Sequence, residues 1–200
     1  LKQSGAVKSG ALTVIRSCVD LSEFRSIAPR NGPVKIIGAI GRLDPQKGFD
    51  TLIKAFRLTE ADDIALHIYG EGREEHRLRA LAANDPRIKF QGFAPNPSTA
   101  MSAVDALAMP SRWEAYRLVA IEAPSADRQL ILNNIVGFRD HIPFGAIAAK
   151  GVSVSDWVHT IEIMTAGQVS PKISPLAGQA ILEKDFANGW YTLLKSAHWK

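Results

Sequence analysis

A single cysteine, Cys18, in 200 residues leaves no internal disulfide to form, and no Cys/His cluster has the spacing of a zinc site. No apolar run approaches the roughly 18 residues of a spanning helix. Asp-x-Asp does not occur, so a carboxylate pair holding a divalent ion is not predicted and no metal-binding residue is expected. Gly-x-Gly-x-x-Gly is missing after the first predicted strand, which argues against a dinucleotide-dependent oxidoreductase. Ser111 and Ser125 have no His and Asp at recognisable positions, so no hydrolase triad is predicted. His67 and His76 stand alone. Blocks of one charge are missing too: 24 Lys and Arg are spread among 20 Asp and Glu, for a net charge of +4, and nucleic acid is not the expected partner. The chain starts at Leu1, without Met, and residues 1 to 11 are polar with no apolar leader core. The expectation is a fragment of a longer, cytoplasmic polypeptide.

What is present is an ordinary globular composition, 46% hydrophobic and 22% charged, ample for one core. Short apolar runs at 34–41, 64–70, 87–91, 105–109, 129–133 and 144–149 alternate with helical patterns. That alternation predicts an α/β fold: a Rossmann-like, doubly wound parallel sheet of about six strands. From residue 153 the pattern is helical, with Trp157, Ile161 and Met164, then Ile181, Phe186, Trp190 and Leu194. In such a sheet the carboxyl ends of the strands form one ligand edge. Arg42, Lys47, Gly70, Gly72, Gly92 and Glu114 all fall at such ends.

Two loops on that edge carry chemistry. Gly41-Arg42-Leu43-Asp44-Pro45-Gln46-Lys47-Gly48-Phe49 follows the first strand and opens into the pattern Phe49, Leu52, Ile53, Phe56. A strand-to-helix turn offers free backbone N–H groups and the positive end of a dipole, where anions collect. Arg42 and Lys47 add two mobile cations, although an isolated pair is equally well read as solvated loop charges. Further on, Glu114 and Glu122 stand eight residues apart in Pro110-Ser111-Arg112-Trp113-Glu114-Ala115-Tyr116-Arg117-Leu118-Val119-Ala120-Ile121-Glu122-Ala123. The first falls in a proline turn and the second on a short helix. The spacing alone also suits a solvated helix face.

Taken together these motifs resemble the retaining glycosyltransferases of family four, which have the GT-B fold. Gly-Arg-Leu-x-x-x-Lys-Gly is similar to the family's diphosphate-binding loop, and the Glu pair resembles its Glu-x7-Glu motif. Supporting stretches are Thr13 to Phe24, similar to the linker entering the C-terminal domain; Leu66 to Gly72 and Arg87 to Phe93, similar to its second and third strands; and Asp105 to Ser111 before the Glu motif. The resemblance runs over roughly residues 12 to 142. It implies a linker and N-terminal fragment over 1–29 and a nucleotide-sugar-binding domain with C-terminal helices over 30–200, one helix of which crosses back to the N-terminal domain.

Further implications follow from the resemblance. By this resemblance the chain would be the donor half of an enzyme moving a hexosyl group from a nucleoside diphosphate sugar, such as a UDP-sugar, to an acceptor with retention, in bacterial polysaccharide or glycoconjugate biosynthesis. Glu114, Arg42 and Lys47 are the implied catalytic residues. Donor binding is implied for Arg42, Lys47, Gly70, Gly92, Glu114, Tyr116, Arg117, Leu118 and Glu122, with Glu122 accepting from the ribose and Glu114 contacting the sugar. No cofactor is expected. A saccharide or lipid-linked acceptor would be bound through a missing N-terminal domain, leaving the fragment alone inactive. Peripheral contact of the basic chain with the inner face of the membrane suits a lipid-linked acceptor. Phe90, Phe93, Trp113 and Tyr116 read as core in preference to base-stacking platforms, although one near Gly92 could touch the base.

Several positions depart from the pattern. Ala115 and Arg117 replace the small residues, commonly glycine, that let the backbone approach the sugar, and Arg117 either turns to water or pairs with the carboxylate of an acidic donor sugar. Pro124 is expected to end the helix early. Val136-Gly137-Phe138-Arg139-Asp140 stands where Gly-Gly-x-x-Glu is usual. These changes also fit an alternative, a non-catalytic nucleotide-sugar-binding domain.

Overall fold

The computed structural model describes residues 20–115, 118–168 and 175–196. The start of the linker stretch, with Cys18, and the candidate residues Tyr116 and Arg117 lie outside them.

Six parallel strands form one sheet in the order β3-β2-β1-β4-β5-β6. They are β1 (Ile36–Ile40), β2 (Ala65–Tyr69), β3 (Ile88–Gly92), β4 (Ala106–Met109), β5 (Gln129–Asn133) and β6 (Ile147–Ala149). The predicted doubly wound α/β architecture is therefore observed. Five of the strands fall on the expected runs within two residues. The sixth begins at Ile147, three residues late, because Val136–Phe144 forms a 3-10 segment. Pro143 there has no N–H to give a ladder, and Gly145 turns the chain with φ of 103°.

Period-two alternation sorts the strand side chains between two apolar layers. In β4, Ala106 and Ala108 enter one layer while Leu107 and Met109 enter the other. The first layer is covered by α2 (Phe49–Leu58), α3 (Glu75–Ala82) and α6 (Val154–Thr165). Phe49, Leu52, Ile53 and Phe56 of α2 are buried, as their i, i+3, i+4, i+7 spacing predicts. Trp157 of α6 is fully buried, and truncating such a side chain costs about 3–5 kcal/mol. The second layer takes Leu21 and Phe24 around α1 (Ser22–Arg25), Met101 of α4 (Pro97–Ser102), and Ala120, Ile121 and Ala123 of α5 (Val119–Ser125). α7 (Pro175–Ser196) packs against α5 and the 3-10 segment.

α5 has only seven residues and ends one position beyond Pro124. The ring has no N–H to give the preceding turn. The Ser125 hydroxyl donates to the Ile121 carbonyl at 3.1 Å in the last turn. The strand order reverses between β1 and β4, so the loops after these two strands diverge and leave a crevice at their carboxyl ends.

Candidate functional site

The β1 loop is stitched to its neighbours through its backbone. Gly41 N–H donates to Tyr69 O at 3.0 Å, Leu43 N–H to Glu71 O at 2.9 Å, and Gly70 N–H to Gly92 O at 2.7 Å. This ladder continues the β1-β2-β3 order past the strands and demands glycine at Gly70 and at Gly72, where a Cβ would lie 2.6 Å from Leu43 O. Gly70 has φ of 138°, and a Cβ there would lie 1.9 Å from Gly41 O. Gly92 also has positive φ, 76°, but faces open space.

Beside this ladder lie two adjoining cavities. One, of about 400 Å³, is lined by Gly41, Arg42, Tyr69, Gly70 and Phe93. The other, of about 450 Å³, is walled by Tyr69, Gln91, Phe93, Asn96 and Thr99. Phe93 is shared by both and is 66% exposed; Trp113 is 64% exposed. The core expectation for these two aromatics is thus corrected, because each lies on a loop past its strand, where the two apolar layers have ended. Phe90, inside β3, is half-buried, with the Arg79 guanidinium 4.6 Å from its ring centre. Arg42 reaches into water, with its Nε 3.6 Å from Asp44.

Lys47 behaves differently. The 3-10 turn Pro45–Lys47 has proline at its start, where no N–H is required, and it swings the lysine inward. Lys47 Nζ lies 2.5 Å from Glu114 Oε1, with the two side chains only 3% and 4% exposed. Ser111 Oγ donates to the same oxygen at 2.9 Å, and Gln46 Nε2 approaches Oε2 at 3.3 Å while donating to Trp113 O at 3.1 Å. The loop after β1 and the turn after β4 thus bring a predicted cation and a predicted acid into one buried cluster. Neither residue lines the two cavities.

The turn carrying Glu114 is gripped from several sides. Asn133, at the end of β5, donates Nδ2 to Pro110 O at 2.8 Å and Ser111 O at 3.0 Å, and accepts Trp157 Nε1 on its Oδ1 at 2.7 Å. A Cβ on Gly48 would fall 2.2 Å from Pro110 O, and one on Gly137 would fall 2.1 Å from Glu114 O. Arg112 donates to both carboxylate oxygens of Asp50 at 2.9 Å, and its N–H donates to Gln46 O at 2.9 Å. Burial pushes the Asp50 carboxyl upward, but the hydrogen bonds and charge of Arg112, the Thr51 amide and the Arg77 charge more than offset it, leaving its pKa below the usual carboxylate value. Gln46, Asp50, Ser111, Arg112, Asn133 and Gly137 were not among the sequence-predicted site residues. Arg112 and Asp50 are 62 positions apart, and no local pattern pairs them.

Glu122 is buried in the first turn of α5, and Leu118, at that helix's N-cap, is 41% exposed. His67 of β2 is held below its ordinary pKa, first by burial and then by the Lys89 charge, against a smaller opposing pull from Asp105. Chemically, the edge offers an exposed guanidinium over a cavity, an aromatic wall, and a preorganised ammonium–carboxylate pair.

The comparisons with known proteins agree with this architecture. The family model described as "Glycosyl transferases group 1" matches residues 34–164. Granule-bound starch synthase 2 of Solanum tuberosum is 29% identical over 81% of the chain, which covers 21% of that protein. A glycogen synthase of Mycobacterium tuberculosis is 31% identical over 66% of the chain and 34% of its own length. Among solved structures, a mutant S. aureus TarM in complex with Fondaparinux, alpha-GlcNAc-glycerol and UDP superposes with a TM-score of 0.75, at 18% identity, over 96% of this chain and 41% of that one. The chain therefore spans between a fifth and two fifths of these three relatives. Its fold is that of GT-B glycosyltransferases, and the chain belongs to the group 1 glycosyl transferases.

Proposed function

We propose that the chain is the donor-binding half of an enzyme that moves a hexosyl group from a nucleoside diphosphate to an acceptor hydroxyl, with retention, during assembly of a bacterial polysaccharide or glycoconjugate. The observation that carries this reading is the pairing, in one loop, of an exposed Arg42 on a 400 Å³ cavity with a buried Lys47 held 2.5 Å from Glu114. When the nucleoside diphosphate departs, negative charge grows on the bridging phosphate. Arg42 offers two parallel N–H donors to it, and Lys47 a point charge in a dry setting. The two cations then take the place of a divalent ion. Gly70, Gly92 and Phe93 give the nucleoside its wall, Glu122 accepts from the ribose, Glu114 stands against the donor sugar, and Leu118 with Tyr116 and Arg117 supplies N–H groups to the phosphates. UDP is the first nucleotide to try, since TarM was solved with it. The acceptor, saccharide or lipid-linked, sits on a second domain outside these 200 residues, at the inner face of the membrane. These 200 residues alone bind donor without transferring.

The test is calorimetric titration of UDP, GDP and ADP in the presence of a chelator. Arg42→Ala should weaken the preferred nucleotide by about ten- to a hundredfold, the loss of a charge-assisted hydrogen bond worth roughly 1.5–3 kcal/mol. Unchanged affinity would remove the diphosphate assignment. Glu122→Gln should weaken free nucleotide as well as donor, and Glu114→Gln donor transfer alone.

A second reading, a non-catalytic nucleotide-sugar-binding domain, is favoured by the tightness of the Lys47–Glu114 pair, in which each charge already satisfies the other. Hydrolysis of donor by a longer polypeptide carrying this domain would exclude it.

A further inference from the structure

α1 lies next to the boundary of the described chain, far in sequence from the cavities, yet it touches their wall. Glu23 Oε1 accepts two hydrogen bonds, from Asn96 Nδ2 at 2.5 Å and from Ser98 Oγ at 2.5 Å. Ser98 is buried, at 7% exposure. Asn96 also caps α4, its Oδ1 accepting from Ser98 N–H at 2.9 Å. These bonds hold the Glu23 carboxyl below the usual carboxylate range, through Ser98 first and Asn96 second. Asn96 is at the same time a wall residue of the 450 Å³ cavity, at the end of the loop Phe93–Asn96 whose first residues line both cavities. That loop leaves β3 at Gly92, whose φ of 76° turns the chain out of the strand.

We infer that Glu23 is a positioning residue for the nucleoside wall: by fixing Asn96 and Ser98 it sets where Phe93 and Ala94 stand, and so ties the segment entering the domain to the cavity that receives the base. The inference rests on the donor-binding reading above. It assigns Glu23 no contact with the donor and no effect on the diphosphate cradle, which is built from the β1 loop.

Both donors converge on one oxygen, which sets the test. In Glu23→Gln a carbonyl oxygen remains to accept both bonds; in Glu23→Ala none does. Calorimetry with UDP and with inorganic pyrophosphate should show UDP affinity falling about three- to tenfold in Glu23→Ala, pyrophosphate affinity unchanged, and Glu23→Gln within about twofold of the unsubstituted chain. Equal losses for both ligands, no loss for UDP, or a glutamine variant as weak as the alanine one would overturn the inference. Hydrogen exchange without ligand gives a separate arm: amides of residues 93–99 should exchange faster in Glu23→Ala, while those of β4 and β5 keep their protection. Unchanged exchange at 93–99 would also overturn it. If the unsubstituted chain binds none of UDP, GDP or ADP, the donor-binding reading fails and Glu23 loses its nucleoside role with it. If Arg42→Ala weakens UDP and Glu23→Ala does not, only the present inference fails.

Discussion

Replacing Lys47 by methionine retains the length of the stem and removes the ammonium from a site where it is 3% exposed. Glu114 would then keep its bonds from Ser111 and Gln46 and lose the ammonium 2.5 Å away. Breaking one member of a buried pair typically costs about 3–5 kcal/mol, because the remaining charge is uncompensated. For a chain of this size that corresponds to a fall in melting temperature of roughly 6–20 °C. Glu114→Gln should cost a similar amount by removing the carboxylate that faces the buried ammonium. The double variant should cost clearly less than the sum, with an interaction energy of about 2–3 kcal/mol. Urea unfolding followed by tryptophan fluorescence suits the measurement, since Trp157 is fully buried in the core. If the two single losses add within about 0.5 kcal/mol, the pair contributes nothing as a pair and the structural argument for a preorganised lysine fails. The same cycle controls the functional test: activity lost in either single variant means little until its stability has been measured at the assay temperature.

Arg42→Ala should leave the unfolding midpoint within experimental error, its side chain being 73% exposed, so that a loss of nucleotide affinity reads on binding alone. Gly70→Ala should destabilise severely or abolish soluble protein, since its Cβ would meet Gly41 O at 1.9 Å, whereas Gly92→Ala should cost only about 1–2 kcal/mol for the left-handed backbone; thermal melts of the two compare directly. Asp50 has a folded-state pKa below its unfolded value, so it contributes stability above the unfolded value near 3.8 that is lost as pH falls through the folded one. Asp50→Asn should therefore flatten the acid limb of stability against pH, and an unchanged limb would contradict the Arg112 pairing. For Arg117→Gly, competition between a uronic acid donor and its neutral counterpart should show selective loss of the acidic one if the guanidinium faces the sugar.

The strands were legible because β4 and its neighbours are buried on both faces, and a stretch such as Ala106 to Met109 can only be written as an unbroken apolar run. The edge to which Arg42, Gly70, Gly92 and Glu114 belong followed from that, since a parallel sheet puts all its carboxyl ends on one side. The inward swing of Lys47 was not legible. A lysine between Gln46 and Gly48 looks solvated, and its burial is decided by Ser111 and Glu114, more than sixty residues away. Phe93 and Trp113 failed for the converse reason: an aromatic is read as core until the layer that would cover it is known to have stopped. The 144–149 run took in Phe144, the last residue of the 3-10 segment, because Phe144 and Ile147 are both apolar on either side of a left-handed glycine.

Gly48 and Gly137 come from separate elements and press on the carbonyls at the two ends of the Pro110–Glu114 turn, while Asn133 pins the same turn from β5. That turn is an anvil: a substitution there must move three elements to move one atom. The loop Phe93–Asn96 on the opposite lip answers mainly to side-chain bonds at its far end. An engineer seeking a new donor preference would concentrate diversity in the four residues of that loop and leave the turn untouched, and related chains that drift in what they accept should drift there first.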